Sequence, residues 1–207
     1  MSETRTEATA LSHQPASDSL PAERSLGQTV PARNHGLDTD MQVFFYEQDC
    51  YVLSNFSAFA VEWRSCVFPT VEHAYHWEKF PENYALLDAI EEARSAHLAL
   101  KVAEANKHRR RPDWDAVKVG IMRDILRAKV QQHEYVRRKL LATGNRELIE
   151  NSWRDDFWGW GPNRDGQNQL GKLWMEIRAE LRLKARPDTE SRKVMPHPPS
   201  HDEKVPE

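Results

Sequence analysis

The sequence predicts an α+β domain, mainly α with a small β-sheet at its start, folded as one compact unit over about 41–184. Three observations carry that prediction. All seven tryptophans lie between Trp63 and Trp174, so the side chains that bury the most area are confined to the middle of the chain. Beyond Val71, apolar residues recur at helical spacing through most of the stretch. The β-branched and aromatic runs that suit strands fall almost entirely before Pro69.

The flanks read differently. Residues 1–40 are rich in Ser, Thr, Ala, Glu and Pro and hold no aromatic residue, while the tail from Arg186 carries five of the twelve prolines. Segments 1–40 and 185–207 are expected to be a disordered leader and tail. A fragment spanning 41–184 should then melt within a few degrees of the full chain when followed by circular dichroism. A large drop in melting temperature would show that a flank packs on the domain.

Taken in order, residues 43–46 are a β-branched and aromatic run, expected as a strand. Leu53-Ser54-Asn55-Phe56-Ser57 is a polar turn between apolar anchors. Residues 60–68 suit a hairpin turning at Arg64-Ser65, although a tight primed turn usually takes Asn-Gly or Asp-Gly. Pro69 ends that strand and Thr70 offers a hydroxyl cap to a helix in which Val71, Ala74 and Tyr75 share a face. Helices follow at 84–93 and at 96–105, the latter capped by Ser95. A basic connector then leads to Asp113, expected to cap a long helix with Trp114, Val117, Ile121, Ile125 and Ala128 on its stripe. A helix over 134–142 stops at Gly144-Asn145, Leu148-Ile149 is a brief apolar segment suited to a strand, and 151–168 is an irregular loop. The last helix is expected over 169–184, with Leu170, Leu173, Trp174, Ile177 and Leu181 inward.

Charge and cysteine content bound the function. The chain has a formal charge of −3, but 41–184 is close to neutral, with 22 basic and 21 acidic residues, and so lacks the overall footprint of a nucleic-acid binder. Cys50 and Cys66 give neither a disulfide framework nor a metal spacing. With no signal-peptide profile and no apolar run long enough to span a bilayer, a cytoplasmic protein without membrane attachment is expected.

Three stretches could carry chemistry. Glu72 falls in the first turn of its helix, where the dipole favours a carboxylate by a few tenths to ~1 kcal/mol, and His76 lies four residues on along the same face. By itself this is better read as a capped amphipathic helix with an acidic first turn, and it is the rest of the chain that changes the weighting. The loop 151–168 carries three tryptophans and Phe157 among three glycines and three aspartates, where loops are normally polar. Aromatic faces beside carboxylates suit a flat ring attached to a sugar, though they could equally pin the loop to the core. The loop runs into a helix start at Asn168, where free N–H groups can hold an anion. In the run 107–111, Arg109, Arg110 and Arg111 could grip a phosphate, or simply face solvent. Glu72, His73 and His76 crowd one turn, but their spacing is poor for zinc, and no Gly-rich phosphate loop is present.

Together these stretches resemble the NADAR, or YbiA-like, family over about 41–184. The resemblance rests on Leu53-Ser54-Asn55-Phe56, Pro69-Thr70-Val71-Glu72-His73, Ala93-Arg94-Ser95-Ala96, Asp113-Trp114-Asp115-Ala116-Val117-Lys118 and Met122-Arg123-Asp124-Ile125-Leu126-Arg127-Ala128-Lys129. It continues through Asp155-Asp156-Phe157-Trp158-Gly159 into Asn168-Gln169-Leu170-Gly171. It implies a single YbiA-like domain and an N-glycosidase that hydrolyses a ribosyl C1′–N bond. The substrates implied are phosphorylated ribosylamino-pyrimidines of riboflavin synthesis, or ADP-ribose attached to guanine in nucleic acid. Glu72 and Asp155 are implied as catalytic, with Trp114 and Trp158 lining the pocket. Asn55, Arg109, Arg110, Arg111 and Asn168 complete the expected substrate-binding set. No metal or organic cofactor is implied. The chain departs from the family pattern at Arg64-Ser65, where a Gly-containing turn is usual, and at Trp160, where a smaller or polar residue is common.

The residue types suit that chemistry. Breaking the bond builds positive charge on the sugar, which an ionised carboxylate stabilises, and the departing base needs a proton, which Asp155 or Asp156 could supply if burial raised its pKa. Two other classes stay open from the sequence: a module that binds ADP-ribose or a nucleotide without cleaving it, and a helical protein-interaction domain whose tryptophans are core.

Overall fold

The computed structural model describes residues 37–46 and 50–185. Apart from residues 37–40 and 185, the expected leader and tail lie outside the described residues. Strand β1 (Gln42–Phe45) does not pair with its neighbours in sequence. It lies parallel to β4 (Glu147–Glu150), with Phe45 opposite Glu150. A parallel pair needs a crossover, and here the crossover is most of the domain. The second ladder is the expected hairpin, β2 (Val61–Trp63) antiparallel to β3 (Cys66–Phe68). The small sheet expected at the start of the domain is thus two separate two-stranded ladders, one completed by a strand from near the end.

The hairpin closes with Arg64 at φ 52° and Ser65 at φ 68°. Both values lie in the left-handed region that a primed turn requires and that non-glycine residues resist by roughly 1–2 kcal/mol each. The compensation is a buried carboxylate beneath the turn. Glu78 accepts hydrogen bonds from Trp63 Nε1 at 2.6 Å and from Arg64 Nε at 3.0 Å.

Helix α1 (Val71–Trp77) starts as expected, with the Thr70 hydroxyl accepting from the His73 N–H at 3.4 Å. Helix α2 (Tyr84–Glu91) is capped by Asn83 and stops two residues before the expected end; α3 (Ala96–Ala105) is capped by Ser95. The basic connector contains a single 3-10 turn, Lys107–Arg109.

Helix α4 (Trp114–Gln132) differs from expectation in two ways. Asp113 makes no capping bond, because its carboxylate pairs with Arg111 at 2.6 Å. The buried stripe is Trp114, Met122, Ile125, Leu126, Lys129 and Val130, so Val117, Ile121 and Ala128 are only half-buried. A lysine on the inward face was not expected. Lys129 is fully buried because its Nζ donates to Ser54 O at 3.0 Å and Ser57 Oγ at 2.7 Å, holding the turn that carries Asn55.

Helices α5 (Glu134–Ala142) and α6 (Gln169–Lys184) have the expected bounds. The main core gathers Phe45, Leu53, Phe68, Trp114, Leu126 and Trp174, among others, while Phe80, Leu87 and Ile90 form a smaller cluster with α3. Helix α6 lies against β4 so closely that a Cβ at Gly171 would enter the van der Waals sphere of Leu148 O. Among the described residues, no helix is long and apolar enough to cross a membrane.

Candidate active site

One face of α1 and the turn after it carries Glu72, Tyr75, His76 and Lys79, at spacings of three, four and seven residues from the first. All four line a cleft of about 330 Å³. The Glu72 N–H, a first-turn donor with no partner inside the helix, reaches Asn55 O at 3.2 Å and ties the helix start to the 54–57 turn. The Glu72 side chain is largely buried, where a charge needs a partner, and Oε1 lies 2.7 Å from His76 Nε2. The i,i+4 relation of the two residues therefore fixes the carboxylate in place. Burial lowers the pKa of Lys79, opposed by the charges of Glu104 and Glu72. Its Nζ lies 3.7 Å from Glu104 Oε1. Burial raises that of the Tyr75 phenol, and the Glu72 charge adds to the rise.

The opposite wall comes from the end of β4 and the loop after it: Glu150, Ser152, Arg154, Asp155 and Trp158. The loop is irregular but held by its own backbone. Trp160 N–H donates to Glu150 O at 3.2 Å, Asn168 N–H to Gly159 O at 2.9 Å, and Leu170 N–H to Trp158 O at 3.1 Å. Gly159 permits this closeness, since a Cβ there would lie 2.9 Å from Glu150 O. Asp155 Oδ1 accepts from the Phe157 and Trp158 N–H groups at 2.9 and 2.7 Å, which orients the Trp158 ring edge-on to Tyr75 at 5.6 Å. Burial, followed by the charges of Asp155 and Glu72, pushes the Glu150 carboxyl up to about 8.

Of the residues singled out in the sequence, the fold brings Asn55, Glu72, Asp155 and Trp158 together on the cleft. Others lie elsewhere. Trp114 is buried one layer back, its ring 5.0 Å from Tyr75, so it supports the wall without lining it. Asn168 is a structural clasp: its Nδ2 donates to Leu148 O at 2.8 Å and its Oδ1 accepts from Glu150 N–H at 3.0 Å. The start of α6 is likewise closed to an anion at two positions, because the N–H groups of Gln169 and Leu170 donate to Phe157 O and Trp158 O. The basic run is outside the lining as well. Arg110 pairs with Asp115 at 2.6 Å, Arg111 with Asp113 at 2.6 Å, and Arg109 is exposed. Arg111 N–H does reach Lys79 O at 2.8 Å, so the run sits behind the cleft. Trp160 faces Phe44 at 5.0 Å and does not shape the cleft, and Asp156 is exposed outside it.

Sequence reasoning missed Lys79, Arg154 and Glu150. Lys79 had a signal, its position seven residues from Glu72. Glu150 had none, because its burial depends on which strand pairs with β4. His73, noted beside Glu72, faces another way: its Nδ1 is 2.8 Å from Thr70 Oγ1 and its Nε2 is 3.0 Å from Ala93 O. Burial lowers its pKa, which suits a neutral ring joining α1 to the turn before α3.

Comparison with known proteins gives a consistent result. A NADAR domain model matches residues 44–182. An N-glycosidase of Nostoc punctiforme is 37% identical over 69% of this chain and 94% of its own length. The N-glycosidase YbiA of Escherichia coli is 34% identical over 70% of this chain and 91% of its own. A riboflavin biosynthesis protein of Vibrio vulnificus is 34% identical over 69% of this chain but only 39% of its own length. The solved structure of Escherichia coli YbiA superposes with a TM-score of 0.65 at 33% identity, covering 73% of this chain and 91% of that one.

Proposed function

The chain belongs to the NADAR domain family, and we propose that it is an N-glycosidase, a hydrolase that cleaves the C1′–N bond of a phosphorylated N-riboside. The observation that carries the reading is the Glu72 carboxylate, fixed by His76 in a cleft that also holds aromatic faces and cations. The Trp158 face holds the base and Lys79 and Arg154 attract the phosphate. As the C1′–N bond lengthens, positive charge grows on the sugar and Glu72 stabilises it at short range in a partly dry site. Glu72 and His76 also orient the attacking water and receive its proton. Nothing in this chemistry calls for a metal or an organic cofactor. Two substrate classes fit: ribosylamino-pyrimidine phosphates of riboflavin synthesis, in line with the name of the Vibrio vulnificus relative, and ADP-ribosylated guanine.

The test is to offer the purified protein a phosphorylated ribosylaminopyrimidine and ADP-ribosylated guanosine, and to analyse the products by mass. A free base from either is expected. A ligand retained intact would instead identify a binding module. The cations give a second prediction. Arg154→Ala should raise KM by about tenfold or more, as loss of a charge-assisted contact present in ground and transition states. The triple variant Arg109→Ala, Arg110→Ala, Arg111→Ala should change KM much less. The reverse order of effects would return the phosphate to the basic run.

A further inference from the structure

We propose that Glu150 is the acid that protonates the departing base, so that the site works with two carboxyl groups of opposite roles: ionised Glu72 at the sugar and protonated Glu150 at the base. This rests on the N-glycosidase reading above. Glu150 is the last residue of β4, and its backbone is held on both sides. Its N–H donates to Asn168 Oδ1 at 3.0 Å and its carbonyl accepts from Trp160 N–H at 3.2 Å. With the backbone locked, its side chain is directed into the cleft. Its Oε2 is buried and has no hydrogen-bond partner among the described residues. A buried carboxyl oxygen without a partner is costly as structure but useful as a proton donor to a ligand that completes it. The two aspartates of the loop are less suitable. Asp155 commits one oxygen to two backbone N–H groups, and Asp156 lies outside the cleft.

The surroundings keep the proton on Glu150. Burial disfavours its charged form, and Asp155 on the loop and Glu72 on α1 repel a third negative charge, so that the carboxyl is held at about 8. The other charged or titratable groups on the cleft are Arg154 beside Asp155, Tyr75, His76 and Lys79 along α1 and its following turn, Tyr46 just after β1, and His97 and Glu104 on α3. In the reaction, the C1′–N bond breaks and its electron pair goes to the base, which takes the proton of Glu150. Water forms the new bond to C1′ and gives its proton to the Glu72–His76 pair. The products are a free base and a sugar with a C1′ hydroxyl. Solvent exchange then returns a proton to Glu150 and removes one from the pair.

The arrangement has a stability signature. A carboxyl whose folded pKa lies above its unfolded value near 4.5 binds more protons when folded, so stability falls as pH rises from about 4.5 to about 8. Glu150→Gln in the full chain should flatten that fall while losing activity, the trade expected where a site keeps a strained group for function.

The deciding experiment compares Glu150→Gln with wild type on two leaving groups, a phosphorylated ribosylaminopyrimidine and a phosphorylated riboside of para-nitrophenolate, which departs without protonation. The variant should lose on the order of 10²-fold or more on the first and only a few-fold on the second. Wild-type kcat/KM should fall near pH 8, and that fall should disappear in the variant. Equal losses on both substrates would overturn the assignment and leave Glu150 a structural residue. If the variant does not fold, or wild type leaves the nitrophenyl compound intact, the wild-type profile decides: kcat/KM falling near pH 8 supports the assignment, and a flat profile overturns it. Wild type that releases no base from any N-riboside would refute the N-glycosidase reading itself, and the role of Glu150 with it.

Discussion

Glu72→Gln is expected to fold normally, to bind substrate within a few-fold of wild type, and to lose on the order of 10²-fold or more in kcat. Glutamine keeps the shape, the helix propensity and an oxygen that can accept from His76 Nε2. What it lacks is the charge. A purely structural role gives a different outcome. In the first turn of α1, the dipole contributes at most ~1 kcal/mol to an ionised side chain, so the variant would be slightly less stable and still active. The separation of kcat from binding is therefore the informative readout. A Glu72→Gln protein turning over within a few-fold of wild type would end the catalytic assignment, and Asp155 and Glu150 would be the next carboxyl groups to substitute.

The second large effect is expected far from the reacting atoms. Gly171→Ala places a methyl group against the carbonyl oxygen of Leu148 and 2.6 Å from both terminal atoms of the Asn168 side chain. None of these can yield cheaply, since the carbonyl belongs to β4 and Asn168 is bonded to Leu148 O and Glu150 N–H. Helix α6 must move off the strand. Overpacking of this kind costs about 3 kcal/mol, a fall of roughly 10 °C in melting temperature for a domain of this size. Activity should fall further than stability alone explains, because the Asn168 clasp also positions Glu150 and the loop bearing Trp158. A melting temperature within 2 °C of wild type, by calorimetry, would show that the helix and strand have room the structure does not suggest.

These two residues illustrate what could be read from the chain. Glu72 was legible because its signals are local: Thr70 before it, His76 one turn on, and the start of an amphipathic pattern. The bounds of α3, α5 and α6 were legible for the same reason, with Ser95, Gly144 and the apolar stripes close in sequence. The parallel pairing of β1 with β4 was not, since nothing local tells a short apolar run at 148–149 that its partner lies about a hundred residues earlier. Everything that depends on that pairing was hidden with it: the burial of Glu150, the depth of Asn168 and the closeness of Gly171. Asn168 was noticed as part of a motif and assigned to substrate, whereas it lies outside the cleft lining and its amide bridges Leu148 O and Glu150 N–H. The basic run was conspicuous as charge. Its side chains at Arg110 and Arg111 turn to nearby aspartates, and the cations on the cleft, Lys79 and Arg154, are single residues that no composition count singles out. At Arg64-Ser65, the hairpin was read correctly from its flanks despite unsuitable turn residues, and the reason it holds is the Glu78 carboxylate underneath.

If water cleaves a C1′–N bond in the cleft between α1 and the loop after β4, its oxygen must end on the sugar. Turnover of a phosphorylated N-riboside in water enriched with heavy oxygen, with both products weighed by mass spectrometry, tests it most directly. One heavy oxygen is expected on the sugar, none on the base, and one base released per sugar. An intact ligand after prolonged incubation, or label carried on the base, would contradict it.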